Sequence, residues 1–413
     1  MATQDLRRAV ADFCAREHGA QVRLLAELVK VPSDNPPGDC ARHAERAAAL
    51  LEDLGLSVQR HPVPDHLVQA NGMVSATNLL ARERFGAGGP TIALNAHGDV
   101  VPPGEGWTTD PYGAEVRDGW MYGRGVAVSK SDFATYAYAL LALKSLGIPL
   151  AGTVELHLTY DEEAGGALGP KWLLDQGITR PDYAISAGFS YGIVTAHNGC
   201  LHLEVLITGK SAHSARPETG HVALEAAARV LHALYAHRKD LEAIRSAVPG
   251  IDSPTLVVGL IRGGINTNVV PDAVTLRLDR RIVPEEDVAV VEHGLARLIR
   301  ESVAGLPGIG CAVRRIMLAE PLKPVPGLER LVAPLQRNAE AVFGEPIPTH
   351  GVPLYTDARH YAAAGIPTVL YGAGPRTLTE AGAHAADERL PLADLRKATE
   401  VVALTLLDLL RSR

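Results

Sequence analysis

The order of helical and strand patterns changes partway along the chain, and this change limits the folds that the chain can adopt. In the first part the two patterns alternate. Residues 41–54 and 133–146 carry apolar side chains at helical spacing, whereas Thr91–Ala96 and Thr153–Tyr160 read as short strands. Strands that alternate with helices favour a largely parallel sheet that is covered by helices on both faces.

The middle of the chain has a different order, which is strand, helix, strand, strand, helix, strand. This is the order of a ferredoxin-like unit, and its length of about 115 residues is enough for a small domain. The predicted strands are 201–208, 255–261, 273–279 and 310–317, and the predicted helices are 221–236 and 285–302.

The alternating pattern then resumes, with predicted helices at 327–343 and 392–411 and a strand at 367–371. The sequence therefore predicts an α/β fold, in which a mostly parallel sheet flanked by helices carries an inserted ferredoxin-like lid or dimerisation domain. The predicted boundaries are 1–198 for the first part of the catalytic domain, 199–317 for the inserted domain and 318–413 for the second part.

Composition excludes several classes of protein. With 413 residues, 46% hydrophobic and 21% charged, the chain can bury two cores. A formal net charge of −7 without clustered lysine and arginine argues against nucleic-acid binding. The absence of an apolar stretch of about eighteen residues or of a secretory signal predicts a cytoplasmic protein without membrane contact. The four cysteines form no CxxC pair and are expected to be reduced.

Two groups of polar residues follow predicted strands, where open α/β sheets place their ligands. His97 and Asp99 come directly after Thr91–Ala96, and Asp161, Glu162 and Glu163 end the next strand. An Asp beside a His can fix the imidazole tautomer of a metal ligand, and neighbouring carboxylates can act as base and ligand. Taken alone, the His97 and Asp99 pair is a weak signal for which a surface turn is the preferred explanation, and a solvated turn is also the simpler explanation of the three acids.

A further histidine, His384, lies in a Gly/Ala-rich loop, where a lone histidine is usually just exposed. The chemistry becomes specific only when longer segments are considered together. They are SDNPPG (33–38), NAHGDVVP (95–102), GWTTDPYGAEVRDGWMYGRG (106–125), TYDEEAGG (159–166), GKSAHSARPETG (209–220), GGINTNVVPDAVTLRLDRR (263–281), YTDARHYAAAGIP (355–367) and AGAHAADE (381–388).

These segments resemble the co-catalytic zinc metallopeptidases and amidohydrolases, which include aminoacylase, acetylornithine deacetylase, succinyl-diaminopimelate desuccinylase and glutamate carboxypeptidase. The resemblance extends over nearly the whole chain and implies the inserted-lid fold described above. It also implies that His97 binds one zinc ion with Asp99 as its orienting partner, that Glu162 is the general base, and that Glu163 and His384 bind the other zinc ion.

For the inserted domain, the resemblance implies that His213 reaches the active site of a partner subunit and polarises the scissile carbonyl. It further implies that Asn268 and Arg281 hold the carboxylate of a small substrate, which agrees with the bidentate binding habit of arginine. The structural alternative for Asn268 is a turn residue, and that for Arg281 is a surface charge on a strand. A homodimer formed through the inserted domain is therefore expected.

Two positions depart from the family pattern. Val128 stands where the family has an aspartate that bridges both metals, and Gly188 stands where it has an acid that binds the first zinc. Two divalent cations about 4 Å apart repel by roughly 16 kcal/mol at an effective dielectric constant near 20. Valine and glycine cannot offset this repulsion, so we predict at most one zinc ion. We expect Asp132, four residues after Val128, to be a charge at a helix N-terminus rather than a replacement ligand.

Three functions remain open on this basis. The first is an amidohydrolase with one metal ion held by His97, Glu163 and His384, an open set as in other zinc hydrolases. The second is a metal-free acid-base enzyme, such as an isomerase, cyclase or acyl transferase, that uses Glu162 and His213. The third is a non-catalytic binding protein that has kept the pocket.

Overall fold

The computed structural model describes residues 3–411, which divide into two compact units. Unit 1 contains the described residues up to Thr195, the segment Pro324–His350 and the residues from Thr356 onward. Unit 2 contains Ala196–Lys323 and the short segment Gly351–Tyr355. The chain thus leaves unit 1 and returns to it.

The helices and strands are numbered in chain order. The helices are α1 (Thr3–Val29), α2 (Ala41–Asp53), α3 (Asp65–Ala70), α4 (Lys130–Ser145), α5 (Pro170–Asp175), α6 (Ala223–Leu241), α7 (Val288–Ser302), α8 (Glu329–Phe343), α9 (Ala358–Ala363), α10 (Leu378–Ala381) and α11 (Leu392–Leu410). The strands are β1 (Val58–Pro62), β2 (Thr77–Gly86), β3 (Thr91–His97), β4 (Glu115–Arg117), β5 (Trp120–Tyr122), β6 (Gly152–Thr159), β7 (Tyr183–Ser186), β8 (Ile193–His197), β9 (Gly199–Thr208), β10 (Thr255–Gly263), β11 (Ala273–Ile282), β12 (Gly310–Ala319), β13 (Thr349–Val352), β14 (Thr368–Leu370) and β15 (Arg389–Pro391).

The large sheet has its parallel strands at the centre. Among the described residues its order is β1-β2-β6-β3-β7-β14-β8-β13. Strands β6, β3, β7 and β14 run parallel to one another, whereas β1 pairs with β2, β2 with β6 and β8 with β14 in the antiparallel sense. The predicted largely parallel sheet is therefore confirmed, with antiparallel strands toward its edges.

Helices cover both faces of this sheet. Alternate residues of β3 point to opposite faces, so that Ile92 and Leu94 join the main core, which also includes residues of α1, α4, α8 and α11. Ala93 points the other way and packs in a smaller cluster with Tyr361 of α9. Helix α4 is apolar nearly all round and is buried over most of its length, which is typical of a helix enclosed by its neighbours.

Unit 2 has a four-stranded antiparallel sheet in the order β10-β11-β9-β12 among its described residues. The chain order β9-α6-β10-β11-α7-β12 is that of the ferredoxin-like unit predicted from the sequence. Leu201, Leu203, Val205 and Ile207 are buried at alternate positions of β9 and form a separate core with side chains of α6 and α7. The opposite face of β9 carries Cys200 and His202.

The predicted elements were found with shifts of a few residues at their ends. Helix α6 begins at Ala223 and runs on to Leu241, and α7 begins at Val288 after Asp287, whose side chain accepts a hydrogen bond from the backbone N–H of Val290. Unit 2 extends beyond the predicted 199–317. It includes 351–355, since the Gly351 N–H donates to the carbonyl of Pro249 at 2.7 Å.

Within the described part of the chain, no helix combines the length and apolar character needed to cross a membrane.

Candidate metal-binding hydrolase site

His97 lies at the carboxyl end of β3, beside the end of the parallel strand β6. Its Nδ1 atom lies 2.9 Å from the carbonyl oxygen of Asp99 and 3.5 Å from the Asp99 carboxylate. The Ser129 hydroxyl bonds to both the N–H and the carbonyl of His97. This network assigns the ring proton to Nδ1 and leaves the Nε2 lone pair for a ligand, which is the usual arrangement of a metal-binding histidine.

The carboxylate of Asp99 is fully buried and connects His97 with the acidic turn after β6. One oxygen accepts the backbone N–H of Glu162 at 3.3 Å. The other accepts the backbone N–H of Glu163 at 3.1 Å and the side-chain amide of Asn35 at 3.0 Å. Asp99 therefore fixes the positions of the two glutamates relative to His97, as expected of an orienting residue.

His97, Glu162 and Glu163 converge on one point. They form a group in which one ligand atom from each lies within 4.8 Å of the others. The two glutamates lie on a short 3-10 turn, Glu162–Ala164, and are half-buried. His384 adjoins the group, since its Nε2 atom lies 3.2 Å from a carboxylate oxygen of Glu163. The four residues that the sequence predicted for the metal and the base are thus neighbours within unit 1.

Charges in this group and burial shift the pKa of His97, Glu162 and His384. Burial by itself would lower the pKa of His97, but the hydrogen bond with Asp99 and the charges of Glu162 and Glu163 together raise it well above 6.5. Burial and the charge of Glu163 raise the pKa of Glu162 well above 4.5, against the opposing effect of His97. The hydrogen bond with Glu163 raises the pKa of His384. A cation at this point would stabilise the ionised carboxylates.

The two positions that depart from the family pattern lie near this group. Val128 is partly buried and precedes Ser129, the residue that bonds to the backbone of His97. Gly188 lies two residues beyond the end of β7, and its backbone N–H donates to the carboxylate of Asp132 at 3.1 Å. The position expected to carry an acid therefore has the carboxylate of another residue against its backbone.

Asp132 has a larger part in the site than its place in the sequence indicated. It lies in the first turn of α4, as predicted, but it is fully buried. Its second oxygen accepts the backbone N–H of Ala373 at 2.9 Å. Burial raises the pKa of this carboxyl well above 3.8, and the neighbouring charge of His97 opposes the shift. Asp132 joins the segments around Gly188 and Ala373.

Glu388 supports the loop that contains Val128. Its carboxylate accepts backbone N–H groups from Gly125, Ala127 and Val128 at 2.9–3.0 Å and forms a buried ion pair with Arg124 at 2.7 Å. In the sequence, Glu388 lies in the family-like segment AGAHAADE, but no role was predicted for it. The sequence did contain a clue to this role, because Arg124 and Glu388 both lie in segments that resemble the family.

Two further buried acids, Asp161 and Asp357, support the site; Asp161 was named from the sequence but given no separate role, and Asp357 was not singled out. The charge of Asp357 adds to burial in raising the pKa of Asp161, and burial raises the pKa of Asp357 to about 6. Asp161 accepts the backbone N–H of Leu168, so it holds the turn that carries the two glutamates. Asp357 lies in the segment YTDARH, and the resemblance of this segment to the family could have identified Asp357 as a candidate site residue.

Unit 2 contains His213, Asn268 and Arg281. His213 and Asn268 are on neighbouring loops, because the Ser214 N–H donates to the Asn268 carbonyl at 3.0 Å. The Nδ1 atom of His213 accepts the N–H of Ala215, and its side chain is exposed. Arg281 lies on β11, where its Nε donates to Asp279 at 3.1 Å and its guanidinium lies 5.9 Å from the centre of the Tyr355 ring.

The residues of unit 1 have the chemistry of a zinc site. A histidine with an available Nε2 and glutamate carboxylates are common ligands of hydrolytic zinc, and the buried Asp99 supplies the supporting hydrogen bonds. Zinc bonds of about 2.0–2.2 Å to nitrogen and oxygen require ligand atoms a few ångströms apart, as they are here. The ligand atoms of His97, Glu162 and Glu163 are close enough to hold one ion, and His384 lies beside Glu163.

The comparison with known proteins now identifies the family. Residues 93–408 match the model of peptidase family M20/M25/M40. The chain belongs to this family. It is 30% identical to the succinyl-diaminopimelate desuccinylase of Gluconacetobacter diazotrophicus over 398 residues, which cover 92% of this chain and 94% of the relative. It is also 30% identical to an acetylornithine deacetylase of Myxococcus xanthus, over 86% of this chain and 89% of the relative.

A crystal structure of the aminopeptidase PepT from Bacillus cereus has the same fold. It matches with a TM-score of 0.73 and 25% identity, over 95% of this chain and 98% of the other. The resemblance recognised from the motifs is thus confirmed. This M20 protein is a peptidase-like amidohydrolase of a family of metal-dependent enzymes.

Proposed function

We propose that this M20 protein hydrolyses the amide bond of a small N-acyl amino acid or dipeptide that carries a carboxylate, with at most one zinc ion. The observation that carries the proposal is the double hydrogen bond from the backbone of Glu162 and Glu163 to Asp99. The Nδ1 atom of His97 lies 2.9 Å from the Asp99 carbonyl oxygen and 3.5 Å from its carboxylate, so this one buried residue sets the geometry of the base and of the ligands together. Relatives named as a desuccinylase and a deacetylase support the substrate class.

In this proposal His97, Glu163 and His384 would hold the ion, which requires His384 to shift from its place beside Glu163 toward His97, and Glu162 would be the general base. A bound zinc ion supplies Lewis acidity that polarises the scissile carbonyl and acidifies water. A carboxylate in this position can take a proton from water and then pass it to the leaving amine. Its half-buried position, next to Glu163, keeps it within reach of a substrate bound at the ligands.

We assign His213, Asn268 and Arg281 to the substrate. The guanidinium of Arg281 can hold a carboxylate with two parallel hydrogen bonds, and Asp279 orients it. His213 has its Nδ1 occupied by a backbone N–H, so its Nε2 would be protonated and able to donate to the carbonyl oxygen. We further propose that His213 acts on the site of a partner subunit in a homodimer.

The limit of one ion rests on the residues near His97. Neither Val128 nor Gly188 offers a carboxylate, and both oxygens of Asp132 already accept backbone N–H groups. A second dication would therefore meet the repulsion of about 16 kcal/mol without an anion placed between the two.

The test combines metal analysis with the substitution Glu162→Gln. We expect the purified protein to contain about one zinc ion in this site and to lose its activity on N-acetyl and N-succinyl amino acids when a chelator removes it. Glu162→Gln should retain the metal and lower kcat by roughly 100- to 10,000-fold. The exposed Glu242→Gln is the matched control and should behave as the parent.

Other outcomes would favour the alternatives. Turnover that is unaffected by chelators but abolished by Glu162→Gln would indicate a metal-free acid-base enzyme. Binding of acylated amino acids without turnover, unchanged by the same substitution, would indicate a binding protein. Two ions at full occupancy in unit 1 would refute the limit of one.

The homodimer can be tested by complementation. Inactive Glu162→Gln and His213→Ala subunits are mixed, unfolded and refolded together, and the activity is compared with that of each variant refolded alone. If His213 acts on the partner's site, a mixed dimer has one site with both native groups and regains activity. If His213 acts within its own subunit, every site lacks one group and the mixture stays inactive.

A further inference from the structure

A second group of metal-ligating side chains lies in unit 2, and the proposed hydrolytic site does not use it as a ligand set. Cys200 and His202 lie two residues apart on β9, so their side chains share a face of the sheet. Asp279 on β11 is the direct cross-strand partner of His202. One ligand atom from each residue lies within 4.8 Å of the others.

The distances in this group are close to those around a zinc ion. His202 Nε2 lies 2.8 Å and Cys200 Sγ lies 3.4 Å from the same oxygen of Asp279. In a tetrahedral site with bonds of about 2.0–2.3 Å, neighbouring ligand atoms are about 3.4–3.7 Å apart. An ion would therefore require His202 and Asp279 to separate by roughly half an ångström, a small adjustment for partly exposed side chains.

The surroundings also suit a metal site. Cys200 is fully buried, and the side chains of His202 and Asp279 are 36% and 28% exposed, so solvent can reach one side of the group. The other oxygen of Asp279 accepts the Nε–H of Arg281, which fixes the carboxylate with one oxygen toward His202 and Cys200. Such an outer hydrogen bond is typical of a carboxylate that binds a metal.

We propose that Cys200, His202 and Asp279 bind a zinc ion in unit 2, with water as the fourth ligand. A thiolate and an imidazole select zinc over magnesium or calcium, which prefer oxygen ligands. The thiolate and the carboxylate together carry two negative charges, which match the charge of the ion. Binding releases the proton of the Cys200 thiol, so the affinity rises with pH.

Without a metal, the same contacts would be a hydrogen-bonded cluster in which Asp279 accepts from Cys200, His202 and Arg281. The two interpretations differ in one measurable property. Only a bound ion places a sulfur atom in a metal coordination sphere, and none of the proposed ligands in unit 1 contains sulfur. A thiolate-specific signal therefore reports on this site separately from the hydrolytic site.

The experiment uses the full-length protein, stripped of metal and titrated with cobalt(II). We expect a thiolate-to-cobalt charge-transfer band in the near-ultraviolet, and we expect Cys200→Ser to abolish it. Cys311→Ser, on β12 of the same unit, is the matched control and should keep the band. Zinc analysis should show about one ion fewer in Cys200→Ser than in Cys311→Ser.

A second variant keeps the test valid if substitution of the buried Cys200 by serine disturbs folding. His202→Asn changes a partly exposed side chain and should weaken cobalt binding at the thiolate band by at least about tenfold, with an unchanged circular dichroism spectrum. The proposal is wrong if the parent protein shows no charge-transfer band, or if the band persists in Cys200→Ser. It is also wrong if His202→Asn binds cobalt as tightly as the parent.

Discussion

The substitution Val128→Asp tests the electrostatic argument about the hydrolytic site. Val128 stands where the family pattern has a bridging aspartate, and it precedes Ser129, whose hydroxyl bonds to the backbone of His97, so we expect the new carboxylate to reach the proposed ligands. Aspartate and valine have nearly the same shape, and Val128 is only partly buried, so the fold should tolerate the change. Val128→Asn adds the same atoms without the charge and is the matched control.

The expected effect is large. Two dications about 4 Å apart repel by roughly 16 kcal/mol at an effective dielectric constant of 20. A single carboxylate at a similar distance from both ions attracts each of them by about 8 kcal/mol, so the two attractions together offset the repulsion. The second ion should therefore bind to Val128→Asp and not to the parent protein. The asparagine control lacks this attraction.

The assay is zinc content after dialysis against dilute zinc, together with titration calorimetry. All three proteins carry Cys200→Ser, so that the group in unit 2 does not contribute to the count. We expect about one ion in the parent and in Val128→Asn and about two in Val128→Asp. Equal zinc in the aspartate and asparagine variants would refute the reasoning, as would two ions in the parent. Gly188→Glu is less suitable, because a Cβ there would lie 2.8 Å from the backbone nitrogen of Tyr371.

Two further predictions concern stability and are measured by urea unfolding. Gly372→Ala should destabilise the protein by about 1–3 kcal/mol, because the new Cβ would lie 2.0 Å from an oxygen of the buried, hydrogen-bonded Asp132. The control Gly294→Ala has open space around the new Cβ inside α7 and should instead stabilise the protein by about 0.5–1 kcal/mol. An equal effect of the two substitutions would contradict the assigned position of Asp132. Burial lowers the pKa of Lys130 from 10.5 to about 7. Between these two pH values, Lys130 keeps its proton in the unfolded chain and has lost it in the folded protein. The free energy of unfolding should therefore rise with pH in this range, by up to about 1.4 kcal/mol per pH unit. Lys130→Met should lack this rise, and the same slope in both proteins would show that Lys130 is not the group responsible.

The sequence by itself determined the elements of the fold and the core of the hydrolytic site. The periods of apolar residues are local, so they predicted α4, α8 and α11, the parallel strands β3 and β6, and the ferredoxin-like order of unit 2. Because β3 and β6 run parallel, their carboxyl ends meet at one edge of the sheet. The acids that follow these strands were therefore predicted to lie together, and Asp99 does bond to the backbone of Glu162 and Glu163.

Only the tertiary structure decided the role of Asp132. In the sequence it is an acid in the first turn of a helix, a position that usually faces solvent. In the fold, segments that are distant in the chain bring the N–H groups of Gly188 and Ala373 to its two oxygens and bury it completely. Local patterns do not record such long-range approaches, because the burial and the charge of a side chain depend on what the rest of the chain packs around it.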